Sequence, residues 1–181
     1  MALLYKEYNR IYIRPFLVRD INKRYIEWLN NNKVNKFLSI RGHKQTLKTV
    51  TVYVRSFQKQ RSRYFFGIFL KENDLHIGNI TLSHIDCKNK YAIVGICIGD
   101  TQYWGKGIGG EALECTKKIV FDSLKLNRLE AGVSSLNNTS LKLFKKSGFQ
   151  VEGVLRERER INGKFCDGII LGITKRMYRK Y

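Results

Sequence analysis

Hydrophobic and polar positions change their period several times along the chain, and each change marks an element. Arg10 to Phe16 alternates, the period of a half-buried strand, and Pro15 ends it. Asp20 follows as a helix cap, after which Ile21, Tyr25, Trp28 and Leu29 recur at helical spacing. Thr46–Gln60 carries a second helical period, although its β-branched residues lose side-chain freedom in a helix. Tyr64–Leu70, His76–Ser83 and Tyr91–Ile98 then predict three strands. They are joined by the polar turns Glu72-Asn73-Asp74 and Asp86 to Lys90, an antiparallel meander.

Further on, Ala112, Leu113, Thr116, Ile119, Val120 and Leu124 mark one face of a helix, and Arg128–Ser134 predicts a short strand. Thr139–Lys146 predicts a helix that turns Leu141 and Phe144 inward and stops at Ser147-Gly148. Val151–Arg160 and Lys164–Ile173 flank Asn162-Gly163, a pair suited to the positive φ angles of a type I′ hairpin turn. The order β, helices, βββ, helix, β, helix, ββ predicts an α+β fold with a mixed sheet of about seven strands covered by helices. With no repeat, linker or low-complexity stretch, the expectation is a single domain over residues 1–181.

Composition narrows the class. A hydrophobic content of 43% with a single proline argues against disorder. No apolar run approaches the roughly 18 residues of a membrane span. Met1 to Glu7 lacks the order of features of a signal peptide, so a cytoplasmic protein is expected. Cys87, Cys97, Cys115 and Cys166 are too scattered for a zinc site or disulfide framework, so no metal is expected; Cys97 and Cys115 read as small core residues. The net charge of +19 predicts attraction to acidic partners, among them the ribosome, although no block of like charges concentrates it.

Candidate chemistry concentrates in Trp104-Gly105-Lys106-Gly107-Ile108-Gly109-Gly110, between a strand and a helix. Glycines permit positive φ and close approach of a ligand to the backbone. Converging N–H groups and the positive end of the next helix then suit a pyrophosphate.

Trp104-Gly105-Lys106-Gly107-Ile108-Gly109 resembles the Gln/Arg-x-x-Gly-x-Gly/Ala loop of the GNAT superfamily of acetyl-CoA-dependent N-acetyltransferases, with Trp104 in place of Gln or Arg. Asn137-Asn138-Thr139-Ser140, Phe144 and Lys146-Ser147-Gly148-Phe149 are similar to the family's Asn-x-x-Ser-x-x-x-Tyr-x-Lys-x-Gly-Phe helix. Ile11 to Pro15, Trp28-Leu29-Asn30 and Asn162-Gly163-Lys164 resemble its RimJ/RimL-type branch. The resemblance implies a mostly antiparallel sheet splayed between its fourth and fifth strands, with acetyl-CoA in the splay. It implies that Ile96, Cys97 and Ile98 pair with the pantetheine and that Trp104 to Gly110 (Trp104, Gly105, Lys106, Gly107, Ile108, Gly109, Gly110) hold the pyrophosphate. Asn137 and Ser140 meet the arm near the thiol, Lys142 or Lys146 reaches the adenosine phosphates, and Phe144 completes the cofactor set.

The proton carriers of that family are missing from their usual places: Phe144 replaces the tyrosine acid, and Gly132 the glutamate base of N-terminal acetyltransferases. Glu130, of the same strand parity as Gly132, and His84, with its near-neutral pKa, are the candidate catalytic groups; the alternative is proton loss through ordered water. Asp100 reads as a turn residue.

On the acceptor side, Arg14, Arg19, Arg24, Arg41, His43 and Lys44 suit an anionic substrate better than a polyamine. Tyr25 to Asn30, Trp28 included, with Val34 to Leu38 resembles the front end of acetyltransferases for nucleotide-linked amino sugars. Asp167 is a candidate to orient the amine, or else a salt-bridge partner of Lys164. The expected reaction is acetyl transfer to such an amino sugar. The alternatives are acetylation of a ribosomal or other protein N-terminus, and a non-catalytic acetyl-CoA- or RNA-binding module, although no aromatic–basic RNA-binding motif is visible.

Overall fold

The structure, a computed structural model, describes residues 4–58 and 62–179. Lys59 and Gln60, the end of the second helical reading, and Met1 to Leu3 lie outside the described residues. Eight strands form one sheet: β1 (Lys6–Tyr8), β2 (Ile11–Pro15), β3 (Tyr64–Leu70), β4 (His76–Asp86), β5 (Tyr91–Ile98), β6 (Arg128–Ser134), β7 (Gln150–Ile161) and β8 (Lys164–Thr174). Their spatial order is β1-β2-β3-β4-β5-β6-β8-β7, antiparallel throughout except for β5 and β6. The helices are α1 (Lys23–Asn30), α2 (Asn32–Asn35), α3 (Leu47–Gln58), α4 (Ile108–Lys118), α5 (Asn138–Lys146) and α6 (Lys175–Tyr178).

Alternation of side chains divides the core into two layers. Ile11, Ile13, Phe66, Ile80, Val94, Leu129, Ala131 and Val133 face α4 and α5. Phe16 and Phe65 face the opposite way, onto Tyr25 and Trp28 of α1, Val34 of α2, and Val50 and Val54 of α3. Phe66 is wholly buried, so its truncation to alanine costs about 3–5 kcal/mol.

The structure corrects three expectations. β1 adds an eighth strand, three residues too short to show a period. Asp20 does not cap α1: the Asn22 side chain accepts from Tyr25 N, while Asp20 accepts from Leu17 N and Arg14. The helix expected from Ala112 to Leu124 begins at Ile108, and its last turn widens over Ile119–Ser123, where Leu124 N reaches the Ile119 carbonyl. The hairpin turn forms as expected, with φ of 50° at Asn162 and 81° at Gly163.

One feature of the sheet positions everything functional. β5 and β6 pair only at Tyr91↔Arg128, Ala92↔Leu129 and Ile93↔Glu130. Beyond Ile93 they diverge, and among the described residues no strand lies along the β6-facing edge of β5 from Val94 to Ile98.

Candidate active site

The divergence of β5 and β6 opens a cleft of about 750 Å³ that runs between the two helical layers. One wall is the β5 edge, Val94 to Ile98; the other is Gly132, Val133 and Ser134 of β6 with the start of α5. The glycine loop closes the α4 end. Gly105 and Gly107 have φ of 73° and 83°, left-handed values that a β-carbon disfavours, and Gly107 begins α4. Among the described residues, the Gly105, Lys106 and Gly107 amides donate to no protein group, and those of Ile108 and Gly109 belong to the first helical turn. These donors at a helix N-terminus fit an anion such as a diphosphate. Close helix packing helps to shape the site: a β-carbon on Gly109 would meet Leu143 of α5 at 3.0 Å.

Two bonds fix the loop from outside. Trp104 Nε1 donates to the Ile98 carbonyl at 2.7 Å. Arg10, at the β1–β2 turn, donates through Nη2 to the Lys106 carbonyl at 2.7 Å and through Nε to Glu111 Oε1 at 2.8 Å. On α5, Asn137 Oδ1 accepts from Ser140 N at 3.1 Å, capping the helix and presenting the Ser140 side chain to the cleft. Lys142 and Lys146 line the same end.

The other mouth of the cleft is lined by Tyr25, Trp28, Val34, Phe37, Tyr53 and Phe65. Burial pushes the Tyr25 and Tyr53 phenols up, which keeps both neutral at pH 7. His76 stands behind this wall, ringed by Phe16, Tyr25, Trp28 and Phe69 at centroid distances of 4.6–5.3 Å. Cys97 lines the cleft with its thiol pushed up to about 12 by desolvation, so it stays protonated.

Glu159 is the single carboxylate among the described lining residues, and strand register explains its position. Ser134 pairs with Gly168, and Glu159 with Cys166, two residues along β8. Gly132, Ser134, Cys166 and Glu159 therefore share the sheet face opposite α4. A bulge between Leu155 and Glu159 carries β7 past its partner to this point.

The fold brings together most of the cofactor set: Ile96, Cys97, Ile98, Trp104, Gly105, Gly107, Ile108, Gly109, Gly110, Asn137, Ser140, Phe144 and Lys146 line one cleft, with Trp28 at its far side. Lys106 is not among the cleft's described lining residues: its carbonyl accepts from Arg10 and its ammonium lies over the Tyr103 ring. Other candidates lie elsewhere. Glu130 shares the face of Gly132 but is held by Arg128 at 2.7 Å, in an ion cluster with Glu152. His84 is exposed at the β4 bulge, toward the closed end of the splay. Arg14 pairs with Asp20 and stacks on Phe69, and Arg41 binds the Lys36 and Arg160 carbonyls. Asp167 has the opposite parity to Cys166 and accepts from Glu157 N at 2.9 Å, bracing the β7 bulge. Asp100 caps the turn Thr101–Tyr103 and pairs with Arg24. Sequence reasoning missed Glu159 and Arg10. The Arg-Glu alternation of residues 156–160 hid the first, and a separation of 101 residues between Arg10 and Glu111 hid the second.

Residues 10–150 match the family model described as an acetyltransferase (GNAT) domain. The chain belongs to the GNAT family. This GNAT protein is 32% identical over 173 residues to the probable N-acetyltransferase YjcK of Bacillus subtilis (strain 168), spanning 90% of this chain and 93% of that one. It is 28% identical over 123 residues to the [ribosomal protein uS5]-alanine N-acetyltransferase of Escherichia coli (strain K12), spanning 67% of this chain and 62% of the relative. Its fold matches the Vibrio cholerae spermidine N-acetyltransferase crystallised with CoA and spermine, at a TM-score of 0.84 and 19% identity over 95% of this chain and 99% of that one. This GNAT protein is thus an acyltransferase whose acyl donor is acetyl-CoA, which sets aside the non-catalytic binding module. Among the described residues, no helix is long and apolar enough to cross a membrane.

Proposed function

We propose that this GNAT enzyme acetylates the α-amino group of a protein or peptide N-terminus by direct attack of the neutral amine. The cleft's lining carries the reading: aromatic and aliphatic walls at the acceptor mouth and, among the described lining residues, one carboxylate, Glu159. Each ammonium of a polyamine needs a partner anion once it leaves water, and one carboxylate serves one amine. A nucleotide-linked amino sugar, the acceptor expected from sequence, brings a diphosphate. Arg14, Arg24 and Arg41, which suggested it, are engaged with Asp20, Asp100 and backbone carbonyls, and Lys33 is the described lining cation at this mouth. The relative named for acetylating an alanine of ribosomal protein uS5 supports the same choice.

Acetyl-CoA supplies a thioester carbonyl and a thiolate leaving group. The free amides of Gly105 to Gly107 hold its pyrophosphate, the β5 edge at Ile96 to Ile98 holds its pantetheine arm, and Lys142 and Lys146 face its adenosine phosphates. Asn137 spends its side-chain oxygen on the cap and keeps its NH₂ group for the arm; Ser140 offers a hydroxyl beside Phe144, which has none. Glu159 receives the incoming ammonium and takes its proton, directly or through one water. The neutral nitrogen then attacks the carbonyl carbon, the C–S bond breaks, and the second N–H proton passes through water to the leaving thiolate. The protonated Cys97 does not compete as a nucleophile.

The test is acetyl-CoA turnover on N-terminal alanine and serine peptides, spermidine, and UDP- and dTDP-linked amino sugars. Turnover is expected on peptides, with Glu159→Gln lowering kcat/KM by about 100-fold. A higher kcat/KM for spermidine or for an amino sugar overturns the assignment.

A further inference from the structure

We infer that Arg10 is a positioning residue for the diphosphate site: it sets the direction of the Gly107 amide by holding the Lys106 carbonyl. In a trans peptide the C=O and the following N–H point in opposite directions. The Lys106 carbonyl accepts from Arg10 Nη2 at 2.7 Å, so the Gly107 N–H is turned away from Arg10. Gly107 lines the cleft, whereas Arg10 is not among its lining residues. A β-carbon on Gly107 would meet Arg10 Nη2 at 3.6 Å, which places the guanidinium directly behind the loop.

Arg10 is itself held at four points. Its Nε reaches Glu111 Oε1 at 2.8 Å, its Nη2 reaches the same oxygen at 2.5 Å, and its backbone N–H reaches Glu111 Oε2 at 3.1 Å. Its carbonyl accepts from Lys71 N at 2.9 Å. Glu111 lies buried in the first turn of α4, where a carboxylate also suits the helix dipole. Arg10, Glu111 and the Lys106 peptide therefore join the β1–β2 turn, α4 and the glycine loop into one unit. A lysine ammonium is one compact charge on a flexible stem and cannot reproduce the planar Nε and Nη2 pair that meets Glu111 Oε1 while Nη2 also reaches the Lys106 carbonyl, so the geometry favours arginine. Gly105 and Gly107 have backbone freedom that would let these amides swing in the absence of such a tether.

This inference rests on the reading that the loop holds the diphosphate of acetyl-CoA, and two acyl donors separate the two ideas. Acetyl-pantetheine carries the same thioester and arm without a diphosphate. The measured quantity is the ratio of kcat/KM for acetyl-CoA to that for acetyl-pantetheine, with the same amine. In the unaltered protein a ratio near one overturns the diphosphate reading itself. With the wild-type ratio high, Arg10→Met is expected to lower it about 10-fold, the scale of a lost hydrogen bond to a charged group. A ratio within twofold of wild type in a variant of unchanged Tm overturns the positioning role. A general structural defect lowers both rates together and leaves the ratio alone, which also counts against it. Arg10→Lys keeps charge and stem, and its ratio is expected to fall between the other two. Should Arg10→Met melt early, the ratio is measured at a temperature where circular dichroism shows that variant folded, and a wild-type ratio there overturns the positioning role.

Discussion

Trp104 donates its indole N–H to the Ile98 carbonyl at 2.7 Å, a bond across the point where β5 gives way to the glycine loop. Gly99 N and Asp100 N both bond the Ile77 carbonyl, so the strand end is fixed by β4 and the loop start by Trp104. Trp104 thus ties the end of β5 to the glycine loop.

Trp104→Phe keeps an aromatic ring and removes the donor. A neutral hydrogen bond is worth about 1 kcal/mol, so KM for acetyl-CoA is expected to rise about fivefold with little change in kcat. Steady-state kinetics with acetyl-CoA as the varied substrate measures this. An unchanged KM shows that the loop holds its place without the indole.

Gly107→Ala tests backbone strain separately from space. The nearest atom to the added carbon is 3.6 Å away, so no clash forms, but φ stays at 83°. The left-handed conformation costs about 1–2 kcal/mol, a loss in Tm of about 3–6 °C, and binding of acetyl-CoA weakens as the loop relaxes. Thermal unfolding and calorimetric titration read the two effects; an unchanged Tm refutes the strain.

Asn137 caps α5, and the proposed contact of its NH₂ group with acetyl-CoA is a second duty that substitution separates. Asn137→Ala removes the α5 cap and is expected to cost about 1 kcal/mol. Asn137→Asp keeps the accepting oxygen and restores that stability, but loses the NH₂ donor. KM for acetyl-CoA is therefore expected to stay raised in both variants. Recovery of KM in the aspartate variant means that Asn137 only caps.

His76 gives the fold a defined acid sensitivity. Burial among aromatic rings lowers its pKa to about 4, with the Nε2 contact to the Gly78 carbonyl at 2.8 Å opposing the shift. The unfolded chain protonates near the ordinary histidine value of about 6.5, so between these values it binds more protons than the native state. Stability is therefore complete above about pH 6.5 and falls as pH drops toward 4, by up to about 3 kcal/mol. Urea unfolding at pH 7 and pH 5 measures the slope, which His76→Phe is expected to flatten. An equal slope in both proteins assigns the acid loss to other groups.

The meander β3 to β5 was legible because each strand is a dense apolar run between polar turns, and α5 because Leu141 and Phe144 mark one face just before the stop at Ser147-Gly148. β1 was not, since three residues cannot display a period. The glycine-rich turn at one end of the cleft was legible because its glycines dictate the backbone conformation. The acceptor side was not. Arg14 and Arg41 looked available until Asp20 and the Lys36 and Arg160 carbonyls were found holding them, and Glu130 looked available until Arg128 did.

The sequence by itself determined most of the strands and helices and the glycine-rich turn into α4, because these depend on residues within a turn or two of each other. Only the tertiary structure decided that β5 and β6 part after Ile93, that Glu159 rather than Glu130 or His84 faces the opening, and that Arg10 stands behind Lys106. Those outcomes depend on strand register and on pairs up to 101 residues apart, where local propensity carries no information.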